Sequence, residues 1–245
     1  MIIAVLGEDE TCTGESKSRT ELSFPGRQQE LLEALYATGK PVVLVLVNGQ
    51  PLTINWADRN IPAILETWFP GQLGGEAIAN TLFGTYNPGG KLSVTFPKTI
   101  GQIEFNFPFK PGSHVGQYFS GPNGSGNTRV NGALYPFGYG LSYTSFAYNN
   151  LQIKQDNKQT QSAVTISCDL TNTGDRTGDE VVQLYIRDKV ASVITYESVL
   201  RGFERVSLQP GETKTVTFTL YPEDLQILDR HYEWTVEPGE FEVRI

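Results

Sequence analysis

The chain has 245 residues, enough for one large domain or two of ordinary size. With 39% hydrophobic and 19% charged residues it can build a packed core, and 25 Gly and 14 Pro announce many turns. The formal net charge of -8, with no Lys/Arg run longer than a pair, argues against a nucleic-acid partner, and no apolar run approaches the ~20 residues that span a bilayer, so no membrane partner is expected.

In chain order, Met1 to Leu6 is too short for a signal-peptide core and lacks a basic start, so no signal peptide is read here. Ile2 to Leu6 instead reads as a strand buried on both faces. Pro25 to Thr38 predicts a helix: Pro suits a first turn, Leu31, Leu32 and Leu35 share a face, and Gly39 is a stop signal. Val42 to Val47 and Ala63 to Trp68 predict further buried strands, followed by a helix over Gly74 to Phe83 and a strand over Lys91 to Phe96 that Pro97 ends. This alternation predicts an α/β layer with parallel strands. Thr99 to Gly140 has poor periodicity and many Gly, Asn, Ser and aromatic residues, the profile of a long binding loop.

From about Phe146 the period becomes two. Val164, Ile166, Cys168 and Leu170 alternate with polar residues, as do Val182, Leu184 and Ile186, then Val216, Phe218 and Leu220, then Phe241, Val243 and Ile245. Turn signals at Asn172 to Asp175, Gln209 to Glu212 and Glu237 to Glu240 separate them. About seven strands in about 100 residues fit an immunoglobulin- or fibronectin-like β-sandwich. The fold class expected is thus α/β plus all-β: a partial α/β sandwich, mostly parallel sheet with flanking helices, over residues 1–142, then a β-sandwich over residues 143–245.

No metal site is expected, since His114 and His231 are far apart and no ligand cluster is visible, and no cofactor motif is present. Cys168 falls on the apolar side of its strand and reads as a packed free thiol; sequence leaves open whether Cys12 meets it.

Ligands of open α/β sheets bind beyond the carboxyl ends of the strands, so the segment after the first strand is the place to look. It reads Gly7-Glu8-Asp9-Glu10-Thr11-Cys12-Thr13-Gly14-Glu15-Ser16-Lys17-Ser18-Arg19. Its carboxylates repel one another, and a partly buried one would have a raised pKa, as a general acid needs near neutrality. A solvated acidic loop is the alternative the residues alone leave open.

Several segments resemble the C-terminal half of glycoside hydrolase family 3 enzymes. They are Ile3 to Glu8 followed by Gly14-Glu15-Ser16-Lys17-Ser18-Arg19, Gly39-Lys40-Pro41 to Gln50-Pro51, Ala63 to Gly75 with Trp68-Phe69-Pro70-Gly71-Gln72, Leu82 to Leu92, Leu134 to Thr144, Val181 to Tyr185, Leu200 to Glu204 and Leu208 to Glu212. Together, in this order, they cover nearly the whole chain. The resemblance implies a barrel domain bearing an Asp nucleophile, an α/β sandwich supplying the acid/base Glu, and a fibronectin-like sandwich. The chain is expected to begin inside the second of these, with the barrel absent. The family's acid/base position falls on Glu15 and a strand-end carboxylate on Glu8, read as a supporting group. Lys17 and Arg19 are expected to pair with the acidic loop or to touch a sugar hydroxyl.

The implied function is part of a retaining β-glycosidase, of the β-glucosidase type, acting on terminal β-D-glycosyl residues of an oligosaccharide or an aryl or alkyl glycoside. A non-catalytic carbohydrate-binding or docking module is the alternative. The isolated chain is expected to hydrolyse little or nothing, and to pair with a separate barrel or with another copy of itself through exposed apolar surface. Trp68, Phe69 and Tyr118 are candidate sugar-stacking rings, with core packing the competing reading for Trp68. Periplasmic or secreted placement is implied by resemblance alone.

Overall fold

The computed structural model describes residues 1–102, 106–110, 132–155 and 162–245. Tyr118, His114 and most of the long loop therefore lie outside the described residues. The chain divides into two compact units. Met1–Tyr86 and Ser93–Phe107 fall in the first, and Asn87–Leu92 and Gly138–Ile245 in the second.

The first unit runs β1 (Ile2–Gly7), α1 (Gln28–Ala37), β2 (Val42–Val47), α2 (Asn55–Asn60), β3 (Ala63–Glu66) and α3 (Gly74–Leu82). The strands form one parallel sheet in the order β1-β2-β3, with Ala4 opposite Leu44, Gly7 opposite Val47 and Leu46 opposite Glu66. Ala4, Leu6, Leu44 and Leu46 pack with Leu32 of α1 and Ala57 of α2 into one core. β2 is the central strand, which explains its unbroken apolar run: Leu44 and Val45 are both completely buried although they point to opposite faces.

β1 departs from expectation. Only Ala4 and Leu6 are buried, while Ile3 and Val5 are 39% and 57% exposed. The reason is its place at the sheet edge, where one face packs on the core and the other lies open among the described residues. α1 starts at Gln28 rather than Pro25, and Leu31 is exposed while Leu32 and Leu35 face the core. The six-residue α2 is too short to leave a periodic signature.

The expected strand over Lys91 to Phe96 does not form. Phe96 makes a single bridge to Tyr135, and Leu92 exchanges bonds with Gly138 and Tyr139. Pro136 has no N–H to give and Gly138 has φ +80, so a continuous ladder is interrupted.

The second unit holds β4 (Phe146–Gln155), β5 (Val164–Asn172), β6 (Gly178–Asp188), β7 (Val199–Leu208), β8 (Thr213–Leu220), β9 (Ile227–Leu228), β10 (Trp234–Thr235) and β11 (Phe241–Arg244). Two antiparallel three-stranded sheets, β4-β5-β8 and β11-β6-β7, supply the core from facing sides, Cys168, Leu170 and Val216 meeting Val182, Val206 and Leu208. The period-two pattern of the sequence is thus the inward-facing half of each sheet. Cys12 and Cys168 are both free thiols, the second buried as its alternation required. Among the described residues no helix is long and apolar enough to cross a membrane and no cluster of metal-ligating side chains occurs.

Candidate active site at the carboxyl ends of the parallel strands

All three strands of the first unit end at the same edge, and each delivers a polar side chain there: Glu8 after β1, Asn48 after β2 and Glu66 at the end of β3. Gly7 makes the first delivery possible. Its φ is +148, and a Cβ at this position would stand 1.9 Å from the carbonyl oxygen of Val47. Only glycine lets β1 run this close to β2 and still turn Glu8 into the sheet. Gln28, at the start of α1, clamps the same peptide from the other side: Gly7 N–H donates to its Oε1 at 2.7 Å and its Nε2 donates to Gly7 O at 2.8 Å.

The Glu8 side chain has no exposed surface, and it forms an ion pair with Arg19, whose side chain is 16% exposed. Its second oxygen accepts the N–H groups of Gly49 and Gln50, each at 3.1 Å. A carboxylate held by one guanidinium and two backbone amides is compensated for its burial, so Glu8 is a fixed structural anion that pins the turn after β2. Arg19 also donates to Ser23 O at 2.8 Å, which ties the far end of the acidic loop back to the sheet. The expected pairing of Arg19 with the acidic segment is therefore present.

The loop between Glu8 and Arg19 is turn-built. Asp9 accepts the Thr11 N–H at 2.9 Å and the Thr11 hydroxyl at 2.5 Å, and these bonds hold its carboxyl below the usual carboxylate range. Lys17 donates through Nζ to the Glu10 carbonyl oxygen rather than to a carboxylate. Ser16 sits at φ +63, in the left-handed region that non-glycine residues seldom occupy. Glu15 precedes it and is exposed to solvent. The loop is not loose on the sheet. A Cβ on Gly49 would lie 2.7 Å from the Phe69 ring and 3.1 Å from the Thr13 methyl, so Thr13 of the loop and Phe69 after β3 both rest on the Gly49 backbone.

Glu66, a residue the sequence did not single out, has its carboxyl pushed up to about 7, mainly by burial and slightly by the charge of Glu8. Its Oε1 accepts the Trp68 N–H at 2.8 Å and its Oε2 lies 3.4 Å from Asn48 Nδ2. Asn48 is completely buried, donates from Nδ2 to Gln50 O at 2.8 Å, and leaves Oδ1 without a partner among the described residues. The signal for Glu66 was available, because a carboxylate ending an apolar strand must find a partner or a proton. Trp68 adopts φ +50 and packs on Phe96 with centroids 5.8 Å apart, in keeping with the packing reading, whereas Phe69 is 51% exposed.

Residues 1–143 match the glycosyl hydrolase family 3 C-terminal domain and residues 180–245 the fibronectin type III-like domain. A β-xylosidase from Formosa agariphila is 45% identical across 100% of the chain, which covers 33% of that protein. A periplasmic β-glucosidase from Salmonella typhimurium is 43% identical across 100% of the chain, which covers 32% of it. Among solved structures, a Listeria innocua β-glucosidase in complex with glucose superposes with a TM-score of 0.89 at 34% identity, over 98% of this chain and 34% of that one. The chain thus spans about a third of the length of the curated relatives it matches.

Proposed function

The chain belongs to glycoside hydrolase family 3, and from that premise we propose that it carries the acid/base half of a retaining β-glycosidase site, with Glu15 as the proton-transferring group. The observation that carries this reading is the division of labour among the acids of one loop. Glu8 is neutralised by Arg19 and two backbone amides, and Asp9 is occupied by Thr11, while Glu10 and Glu15 are exposed on a loop held on the strand ends through Thr13, and of these two the family resemblance selects Glu15.

In such a site Glu15 protonates the glycosidic oxygen as the bond to the anomeric carbon breaks. It then takes a proton from the water that releases the sugar from the enzyme. Retention needs a nucleophilic carboxylate about 5–5.5 Å from it. We assign that group to a barrel domain in the part of the protein corresponding to the two-thirds of the relatives that this chain does not cover. The open side of β1, with Ile3 and Val5 exposed, is the apolar surface through which a barrel, or failing that a second copy of the chain, would associate. Lys17, exposed and bonded through Nζ to the Glu10 carbonyl oxygen, is closer to Glu15 in sequence than any other cation and is assigned to a sugar hydroxyl that would take over that bond, with Arg19 acting indirectly through Glu8.

The substrate class is a terminal β-D-glucosyl or β-D-xylosyl residue on an oligosaccharide or aryl aglycone, since a β-xylosidase and a β-glucosidase match this chain almost equally well. Periplasmic or secreted placement follows the Salmonella relative. The test is hydrolysis of aryl β-glucosides and β-xylosides by the chain alone and when joined to its barrel, with Glu15 intact and as Glu15→Gln. We expect activity only in the joined form, and a loss of roughly 10²- to 10⁴-fold in kcat with Glu15→Gln at unchanged folding. Full activity of Glu15→Gln, or hydrolysis by the chain alone, overturns the assignment.

A further inference from the structure

The peptide that leads into the loop after β1 is gripped from both edges of the strand. In a parallel ladder alternate residues bond to the neighbouring strand, and in β1 these are the even-numbered ones: Ile2 N–H donates to Pro41 O at 2.8 Å and Glu8 N–H to Val47 O at 2.8 Å. Gly7 therefore turns its N–H and C=O the other way, to the edge that no strand covers among the described residues. Gln28 meets both groups there, accepting the Gly7 N–H through Oε1 at 2.7 Å and donating from Nε2 to Gly7 O at 2.8 Å. A primary amide carries an acceptor and a donor side by side, the same pair that one residue of a further strand would offer. The helix places it. Gln28 is the first residue of α1, and Leu32, four positions on and so on the same face, is completely buried in one core with Ala4 and Leu6 of β1. Phe24, buried in the same core, holds the chain on the other side of Pro25.

We propose that Gln28 is a positioning residue for the acid/base loop: its amide completes the hydrogen bonding of Gly7 in place of a strand, and so sets the direction in which Glu8 and the segment to Glu15 leave the sheet. With Val47 on one side and Gln28 on the other, the peptide planes flanking Gly7 cannot rotate. Glu8 then enters the sheet where Arg19 and the Gly49 and Gln50 amides meet it, and the loop departs from a fixed origin. The amide has a second effect. It occupies Gly7, so a strand joining the open edge of β1 can pair only as far as Val5, which leaves the carboxyl edge of the sheet free beside the loop. Without the amide, the Gly7 N–H and C=O turn to water and the loop loses one of the two constraints at its root. The bearing on catalysis rests on the Glu15 reading; the clamp on Gly7 does not.

Hydrogen exchange of the 245-residue chain tests the clamp. Gln28→Leu keeps the side chain's bulk and removes both bonds, so protection of the Gly7 amide should fall about tenfold or more while the β2 amides of Val43 to Leu46 hold theirs. Unchanged protection at Gly7, or an equal fall in β2, overturns the proposal. Should Gln28→Leu not fold, the wild type decides: the Gln28 carboxamide proton facing Gly7 O should exchange about tenfold or more below the rate of a solvated glutamine, and exchange at that free rate ends the proposal. The catalytic part is read in the intact glycosidase by leaving group, since kcat/KM reports cleavage of the glycosidic bond. An alkyl β-glucoside needs the proton on its departing oxygen, whereas 2,4-dinitrophenolate departs as a stable anion without one. Gln28→Leu should therefore lower kcat/KM about 10- to 100-fold for the alkyl glucoside and less than about threefold for the dinitrophenyl glucoside, and should add little to the loss in a Glu15→Gln background. Equal losses on the two substrates, with Glu15→Gln itself selective, overturn the positioning role. If Glu15→Gln is also unselective, the Glu15 reading fails instead, and the clamp stands or falls on the exchange result.

Discussion

Asn48 in the first unit and Asn172 in the second are both completely buried, and the two units treat them differently. Asn172 uses every bond it can make. Its Nδ2 donates to Arg176 O at 2.7 Å and Leu208 O at 3.0 Å, and its Oδ1 accepts from the Thr144 hydroxyl at 2.7 Å and Gly174 N at 3.1 Å. Asn48 has one good bond, one long one and an orphaned oxygen. The buried glutamates show the same contrast. Glu180 of the sandwich takes Lys91 at 3.0 Å and the Tyr148 hydroxyl at 2.9 Å, whereas Glu66 of the α/β unit has no cation partner among the described residues. Burial and the Glu180 charge push the Tyr148 hydroxyl well up, so that pair is a fixed donor and acceptor rather than a titrating one. A polar network finished in all its bonds is a structural fastener, whereas the one beside the loop after β1 is left with an unmet acceptor among the described residues.

The sharpest way to break that comparison is to unbalance the anion that the α/β unit does neutralise. Arg19→Met should strand the Glu8 charge in a site with no exposed surface and cost about 3–5 kcal/mol, read by urea unfolding of the chain. A cost under about 1 kcal/mol would mean that Glu8 is as exposed as an ordinary surface acid, and the fixed-anion reading would fail.

A similar effect should appear on changing pH alone. Glu66 has its folded-state pKa raised from the ordinary 4.5 to about 7. The unfolded chain thus loses this proton first as pH rises. The stability tied to it is fully present below 4.5, declines through the interval and is gone above about 7, a change on the order of 3 kcal/mol. Unfolding curves for wild type and Glu66→Gln across that interval should differ in slope, with the wild type falling more steeply as pH rises. Parallel curves would place Glu66 with the fasteners after all.

The smallest expected difference bears on the asparagines themselves. Asn172→Ala strands two carbonyl oxygens and two donors and should cost about 3 kcal/mol, while Asn48→Ala removes an orphaned oxygen along with one good bond and should cost about 1 kcal/mol. Equal costs, measured by thermal unfolding, would show that Asn48 finds a partner in solution.

The broad architecture was legible in the residues. The apolar run Val42 to Val47 could only be a strand buried on both faces, and the alternation from Val164 to Leu170 only a half-buried one. The loop after β1 stood out through its carboxylates, and resemblance directed attention to Glu15. Less was legible where a residue's state depends on neighbours distant in sequence. Ile2 to Leu6 reads as a strand buried on both faces because its side chains are apolar throughout, yet among the described residues it is the sheet edge with Ile3 and Val5 exposed. Lys91 to Phe96 has strand-like alternation, but Pro136 and Gly138 across from it, some forty residues on, interrupt the ladder.

By itself, then, the sequence determined the two-part organisation, the parallel sheet with its loop at the carboxyl edge, and the supply of acids on that loop. These follow from period, turn chemistry and local composition, which are properties of neighbouring residues. Only the tertiary structure decided which carboxylate is neutralised, which is exposed and which holds its proton to near neutrality. Glu8, Asn48 and Glu66 come from three strands separated by 40 and 18 positions, and desolvation acts on where the sheet brings them rather than on what stands beside them in the chain.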